Sequence, residues 1–140
     1  MSALSDYLEA GLLDQIYNGA TAIEPIGIYL ALYTADPTDA DAGTEVSGGS
    51  YARVLVNPNG GAAPSFDLAV TDGTGKMVTN ADDIVFPTAT APWGTITHFG
   101  LRDASTAGAL LHHGALTEAQ VVGTGGVFKV PAGQLKLRLE

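Results

Sequence analysis

Gly27-Ile28-Tyr29-Leu30-Ala31-Leu32-Tyr33-Thr34 alternates with a period of two. Ile28, Leu30 and Leu32 share one face, and Tyr29, Ala31 and Tyr33 share the other. Both faces are apolar, which predicts a central strand packed between two layers rather than a half-wet edge. A chain built around such a strand must supply further strands to flank it and cover both faces.

The sequence on either side meets that demand. Asp36 to Gly49 is a loop of Pro, Asp, Thr, Gly and Ser, and Ser50 to Val56 reads as a second strand. Short strands follow around Phe66–Val70, Met77–Thr79 and Ile84–Phe86, with the turn Asp72-Gly73-Thr74-Gly75 between the first two. Gly94 to Arg102 and Ala109 to Ala115 read as strands joined by a hairpin loop over Asp103 to Gly108. Gly126 to Val130 and Gln134 to Leu139 read as a last pair around Pro131-Ala132-Gly133. In the final strand Leu135, Leu137 and Leu139 are expected to face in, and Lys136, Arg138 and Glu140 out.

Residues 3–18 have the other period. Leu4, Leu8, Leu12 and Ile16, flanked by Leu13, recur at helical spacing. Ser2 or Ser5 can cap the start, Asp6 and Glu9 suit its first turns, and Asn18-Gly19 is a stop signal. The stripe is narrow, so the helix must lie on its own sheet or on a neighbouring subunit. The expected fold is mostly β, a single β-sandwich or jelly-roll-like domain over residues 1–140. About eight strands fill residues 26–139, after one N-terminal α-helix.

Composition bounds the function. Apolar residues make up 46% and charged residues 15%, against about 25% charged in an ordinary soluble domain. So few charges leave part of the outside uncovered, which predicts an oligomer or a docked subunit. The net charge is −9, and eight acidic residues precede the first cation, Arg53. Such a surface repels nucleic acid and anionic membranes. It favours solubility or steering toward a basic partner. With no cysteine, disulfides and thiolate chemistry are excluded. Asp6 and Glu9 stand where a signal peptide would be basic, and no apolar run reaches the roughly 20 residues of a membrane span. Synthesis in a cytoplasm, without classical secretion, is the expectation.

Candidate chemistry is sparse. Asp36, Asp39, Asp41 and Glu45 share one loop, but the Gly and Glu positions of a calcium-binding EF-hand are not met, so a solvated acidic loop is expected. His98 can neighbour one of His112 and His113 across a hairpin. It cannot neighbour both, because adjacent strand residues point to opposite faces. A third zinc ligand is missing, which favours core or interface histidines. Gly73-Thr74-Gly75-Lys76 lacks the spacing of a phosphate loop and is followed by Met77, so it reads as a turn. No nucleophile motif occurs. The expectation is a chain that is not an enzyme, with no catalytic residue, cofactor or metal. Trp93, the only tryptophan, sits between Pro92 and Gly94 and is either a core plug or an interface anchor. The candidate interface residues are Leu4, Leu8, Leu12 and Trp93.

Five segments together carry a resemblance. They are Leu4-Ser-Asp-Tyr-Leu-Glu9, Tyr29-Leu-Ala-Leu-Tyr-Thr-Ala-Asp-Pro-Thr-Asp39, Glu45-Val-Ser-Gly-Gly-Ser-Tyr-Ala-Arg53, Phe86-Pro-Thr-Ala-Thr-Ala-Pro-Trp-Gly-Thr-Ile-Thr-His-Phe-Gly100 and Leu110-Leu-His-His-Gly-Ala-Leu116. In this order the chain resembles a family of small tailed-phage structural proteins, some tail-fibre-like and some like capsid decoration (cement) proteins. The resemblance implies a virion component made in the host cytoplasm. Because no fibre shaft of repeats or coiled coil is visible, a decoration subunit is the leading expectation. It would be a homo-oligomer, most simply a trimer, bound to the major capsid protein with no nucleic acid or membrane partner. A tail-fibre or tail-tip adaptor is the alternative.

Overall fold

The computed structural model describes residues 2–139. Its elements are β1 (Ser2–Leu4), α1 (Asp6–Tyr17), β2 (Ile28–Ala35), β3 (Thr44–Glu45), β4 (Val54–Val56), β5 (Val70–Asp72), β6 (Gly75–Thr79), β7 (Ile84–Val85), β8 (Gly94–Arg102), β9 (Leu110–Val122), β10 (Lys129–Val130) and β11 (Lys136–Leu139). The main sheet has the order β1-β9-β8-β2-β3, with β4 sharing the outer edge of β2. A three-stranded sheet, β11-β6-β5, and a two-stranded one, β10-β7, complete the set. All of these strand pairs are antiparallel. The fold is mostly β with one N-terminal helix, consistent with the β-sandwich expected from the sequence.

β2 is the central strand that its alternation demanded, with Leu30, Ala31, Leu32 and Tyr33 all buried. Leu30 and Leu32 pair with Leu101 and Phe99 of β8 and turn to the main core. There they meet Phe66, Ile84, Phe86, Phe128 and Leu135 from the smaller sheets and connections. The opposite face carries Tyr33 beside His98, and Ala31 beside Gly100. Gly100 is needed there: a Cβ would stand 2.8 Å from the ring of Tyr33 and 2.8 Å from Leu110. A register shift between Ile96 and His98 lets Ile96 join the main core although it has the same parity as His98.

Several sequence expectations need correction. The helix begins at Asp6, not at residue 3, so Leu4 belongs to a strand. Ser5 is the N-cap, accepting from the Leu8 N–H, while its own N–H donates to the Leu111 carbonyl and its hydroxyl to the Leu110 carbonyl. That anchoring holds residues 2–4 against β9. The second strand keeps only Val54–Val56 of residues 50–56, because positive φ at Gly48, Gly49 and Ser50 puts a turn there. Strand β9 runs seven residues past Ala115, to Val122.

The expected last hairpin does not form: β10 pairs with β7, and β11 with β6. Asn80, fully buried, bonds the connection between the two. Its amide donates to the carbonyls of Asp82 and Pro131, and its Oδ1 accepts from the Leu135 N–H. Leu135 and Leu137 turn inward as expected, but Leu139 is half exposed; Glu140 lies outside the described residues.

Candidate docking surface

α1 has sound local reasons to be a helix. Ser5 caps it, Asp6 and Glu9 meet the positive end of its dipole, and it stops at Asn18, whose N–H bonds back to Asp14. It nevertheless buries none of its residues. Leu13, Ile16 and Tyr17 are 56, 67 and 76% exposed, and Tyr7 is half exposed. Leu8 and Leu12 are half-buried, but the exposed apolar side chains stabilise nothing while they face water. At Gly11 a Cβ would fall 2.0 Å from the Ile23 side chain, so the segment after the helix packs back on it.

Between α1 and the β5-β6-β11 sheet runs an apolar groove of about 440 Å³. Leu4, Leu8 and Leu12 form one bank, Lys76, Met77, Val78, Leu137 and Leu139 the other, and Leu101, Leu111 and His112 also line it. The three leucines picked from the sequence as interface candidates therefore share one open surface, although Leu4 reaches it from a strand. Trp93 does not share it. Its ring is 5% exposed, lies edge-on to Tyr51 and Phe86, and donates its indole N–H to the Gly49 carbonyl at 2.9 Å. Its burial is accounted for within the chain.

His112 faces the groove side of the sheet and His113 the other, as their adjacency requires. The Nε2 of His112 is buried without a hydrogen-bond partner. Burial pushes its imidazole from 6.5 down to about 4, with His113 adding to the depression. Folded His112 thus stays neutral while the unfolded chain takes up a proton near its ordinary value. The stability it contributes is full above the unfolded value and is lost as pH falls toward the folded one, by about 3 kcal/mol. His112→Leu should remove this loss. Urea unfolding of both proteins at pH 7 and about pH 4.5 checks it, and an equal fall in stability in both would refute it.

On the opposite face of the main sheet the acidic loop is not simply solvated. Asp41 takes a two-pronged grip from Arg102, at 2.8 and 2.7 Å, and Glu45 another from Arg53, at 2.7 and 2.7 Å. Both guanidiniums also bond carbonyls of the 104–108 loop and share that of Ala107. Burial opposes the charge on Arg102, but the hydrogen bonds with Asp41 and Tyr33 outweigh it and hold its pKa above the ordinary value. Glu45 acts likewise on Arg53, against a smaller burial effect. Asp39 meets Nε2 of His113 at 2.8 Å, and Asp36 stands 3.8 Å from His98 and 3.9 Å from His113. His98 and His113 thus share Asp36. Among the described residues no three His, Asp or Glu side chains are placed to hold a metal ion. The backbone carbonyl of Asp39 also accepts from the Asp6 N–H, which ties the start of α1 to this clamped loop.

The arrangement therefore combines an ion-clamped sheet with an N-terminal strand paired to β9 and a helix that leaves Leu13, Ile16 and Tyr17 exposed. The clamping arginines and Asn80 escaped the sequence reading. The available signal was the rarity of cations: Arg53 and Arg102 are two of only six in the chain. No curated protein matches the chain. One family model does match, described as podophage GP4 fiber I protein gp80, and it spans residues 3–138. With nearly its whole length inside that match, the chain belongs to this family of tail-fibre-like structural proteins of the phage virion.

Proposed function

We propose that this chain is a non-catalytic subunit of a phage fibre apparatus, held in the particle by protein contacts made through β1 and α1. The observation that carries the reading is the helix itself, a capped element with an apolar stripe and no buried residue. The ionisable groups that stand together are engaged in structural pairs, Arg53 with Glu45, Arg102 with Asp41 and His113 with Asp39, which supports a passive role. The sequence put capsid decoration first, with the major capsid protein as partner. The fibre description of the family favours the tail instead. Binding would stabilise an assembled structure by mass action, with no turnover.

Gene deletion separates the two readings. Particles lacking the chain should assemble capsids of unchanged heat stability and lose adsorption to the host. Capsids that burst at lower temperature while adsorption persists would overturn the proposal and restore the decoration role.

A further inference from the structure

Two Asn-Gly pairs occur in the chain, Asn18-Gly19 and Asn59-Gly60. A glycine after asparagine has no side chain to shield its backbone nitrogen, which can therefore reach the asparagine carboxamide. The two pairs are held differently. Asn59 donates its amide to the Phe66 carbonyl at 3.1 Å, which ties it across its loop. Asn18 is exposed at the end of α1, and its amide donates to Asp14, one turn back in the same helix, at 2.7 Å. Gly19 is exposed with φ +68°, and a Cβ there would meet nothing within 4 Å. Its N–H finds no acceptor among the described residues, whereas the N–H groups on either side of it both bond to the Asp14 carbonyl.

We infer that Asn18 is a site of spontaneous deamidation, and that the reaction limits the life of α1 as a docking element. Hydroxide takes the Gly19 amide proton, and the nitrogen attacks Cγ of Asn18. The new N–C bond closes a cyclic succinimide, the bond from Cγ to Nδ2 breaks, and the amide leaves as ammonia with a proton from water. Water then opens the ring at one of its two carbonyls. Opening at Cγ leaves an aspartyl residue, and opening at the main-chain carbonyl leaves an isoaspartyl residue whose backbone runs through Cβ. Water is the only co-reactant.

Either product replaces an amide donor by a carboxylate beside that of Asp14. The new charge falls at the negative end of the helix dipole, and no basic residue stands in the last turn to offset it. That turn frays, and with it go Ile16 and Tyr17, the two most exposed apolar side chains of the helix. The consequence for docking rests on reading α1 as the docking element; the covalent step does not.

Peptide mapping by mass spectrometry of the full chain, incubated at increasing alkaline pH, tests the inference. The same chain unfolded in urea is the reference, because both Asn-Gly pairs react freely there. In the folded chain Asn18 should convert ahead of Asn59, faster as pH rises. Gly19→Ala should slow the conversion about tenfold, since its methyl crowds the nitrogen and resists the left-handed backbone. Asn18→Gln should stop it, and Asn18→Asp should reproduce the loss of helical circular dichroism found in the aged chain. Aged chain should also rejoin particles that lack the protein less well than fresh chain. An Asn18 amide that persists in the folded chain while it converts in urea, or an Asn59 that converts first, overturns the inference. Equal rejoining by aged and fresh chain overturns its second half. The covalent change is read on the isolated chain, so its failure is distinct from a failure of α1 to dock.

Discussion

Trp93→Ala should lower the unfolding free energy by about 3–5 kcal/mol, the range for removing a large buried aromatic. The ring is 5% exposed and makes two aromatic contacts within a buried cluster. It meets Tyr51 edge-on at 5.4 Å and Phe86 at 6.5 Å, and Phe86 in turn meets Phe128 at 5.7 Å. Truncation opens a void in that cluster and leaves the Gly49 carbonyl without its indole donor. The neighbourhood has little freedom to collapse into the void. Gly49 has φ +56°, and a Cβ there would lie 2.7 Å from the Ala91 carbonyl and 3.0 Å from the indole nitrogen. Trp93→Phe keeps most of the bulk but not the N–H, so about 1–2 kcal/mol is expected. Urea unfolding followed by circular dichroism measures both. An unchanged midpoint for Trp93→Ala would show that the ring is not a core element.

Arg102→Met is expected to cost about 3 kcal/mol, at the lower end of the range for breaking a buried ion pair. The guanidinium donates to both oxygens of Asp41, to the Tyr33 hydroxyl and to the carbonyls of Ala107 and Gly108. Methionine fills similar space and serves none of these acceptors, of which only the Ala107 carbonyl keeps another donor, Arg53. The lower end applies because the Asp41 side chain is 36% exposed and water can solvate it. Arg102→Lys keeps the charge but lacks the planar fork, so it should recover only part of the loss. Equal stability of Arg102→Met and the wild type would mean that the acidic loop is held by something other than this clamp.

How much of this was legible depends on distance along the chain. The β2 strand was readable because its alternation is local and decides burial on both faces. The Gly94–Arg102 strand was read to the residue, since Gly94 opens it and the loop after Arg102 closes it. The helix was legible as an element, but its start was misplaced by three residues. Leu4 fits the helical spacing of Leu8 and Leu12, yet pairing to His112 overrides that local signal. The acidic loop was visible as a cluster of carboxylates. Arg102 lies 61 residues from Asp41, so a solvated loop was the natural reading, although Arg53 is only eight from Glu45. Asn80 gives no sequence signal of its role, which is to bond the Pro131 carbonyl and the Leu135 N–H between β10 and β11. Leu4, Leu8 and Leu12, named as interface candidates, line one groove, whereas Trp93 lies in the core, and the sequence could not say that Leu13, Ile16 and Tyr17 stay exposed.

An electron cryomicroscopy map of the intact phage particle tests the account most directly. The chain should appear in the tail fibre assembly, with α1 buried against another protein chain and the clamped face of the main sheet turned away from that contact. Density for this domain across the capsid lattice, or in the tail with α1 left facing solvent, would contradict it.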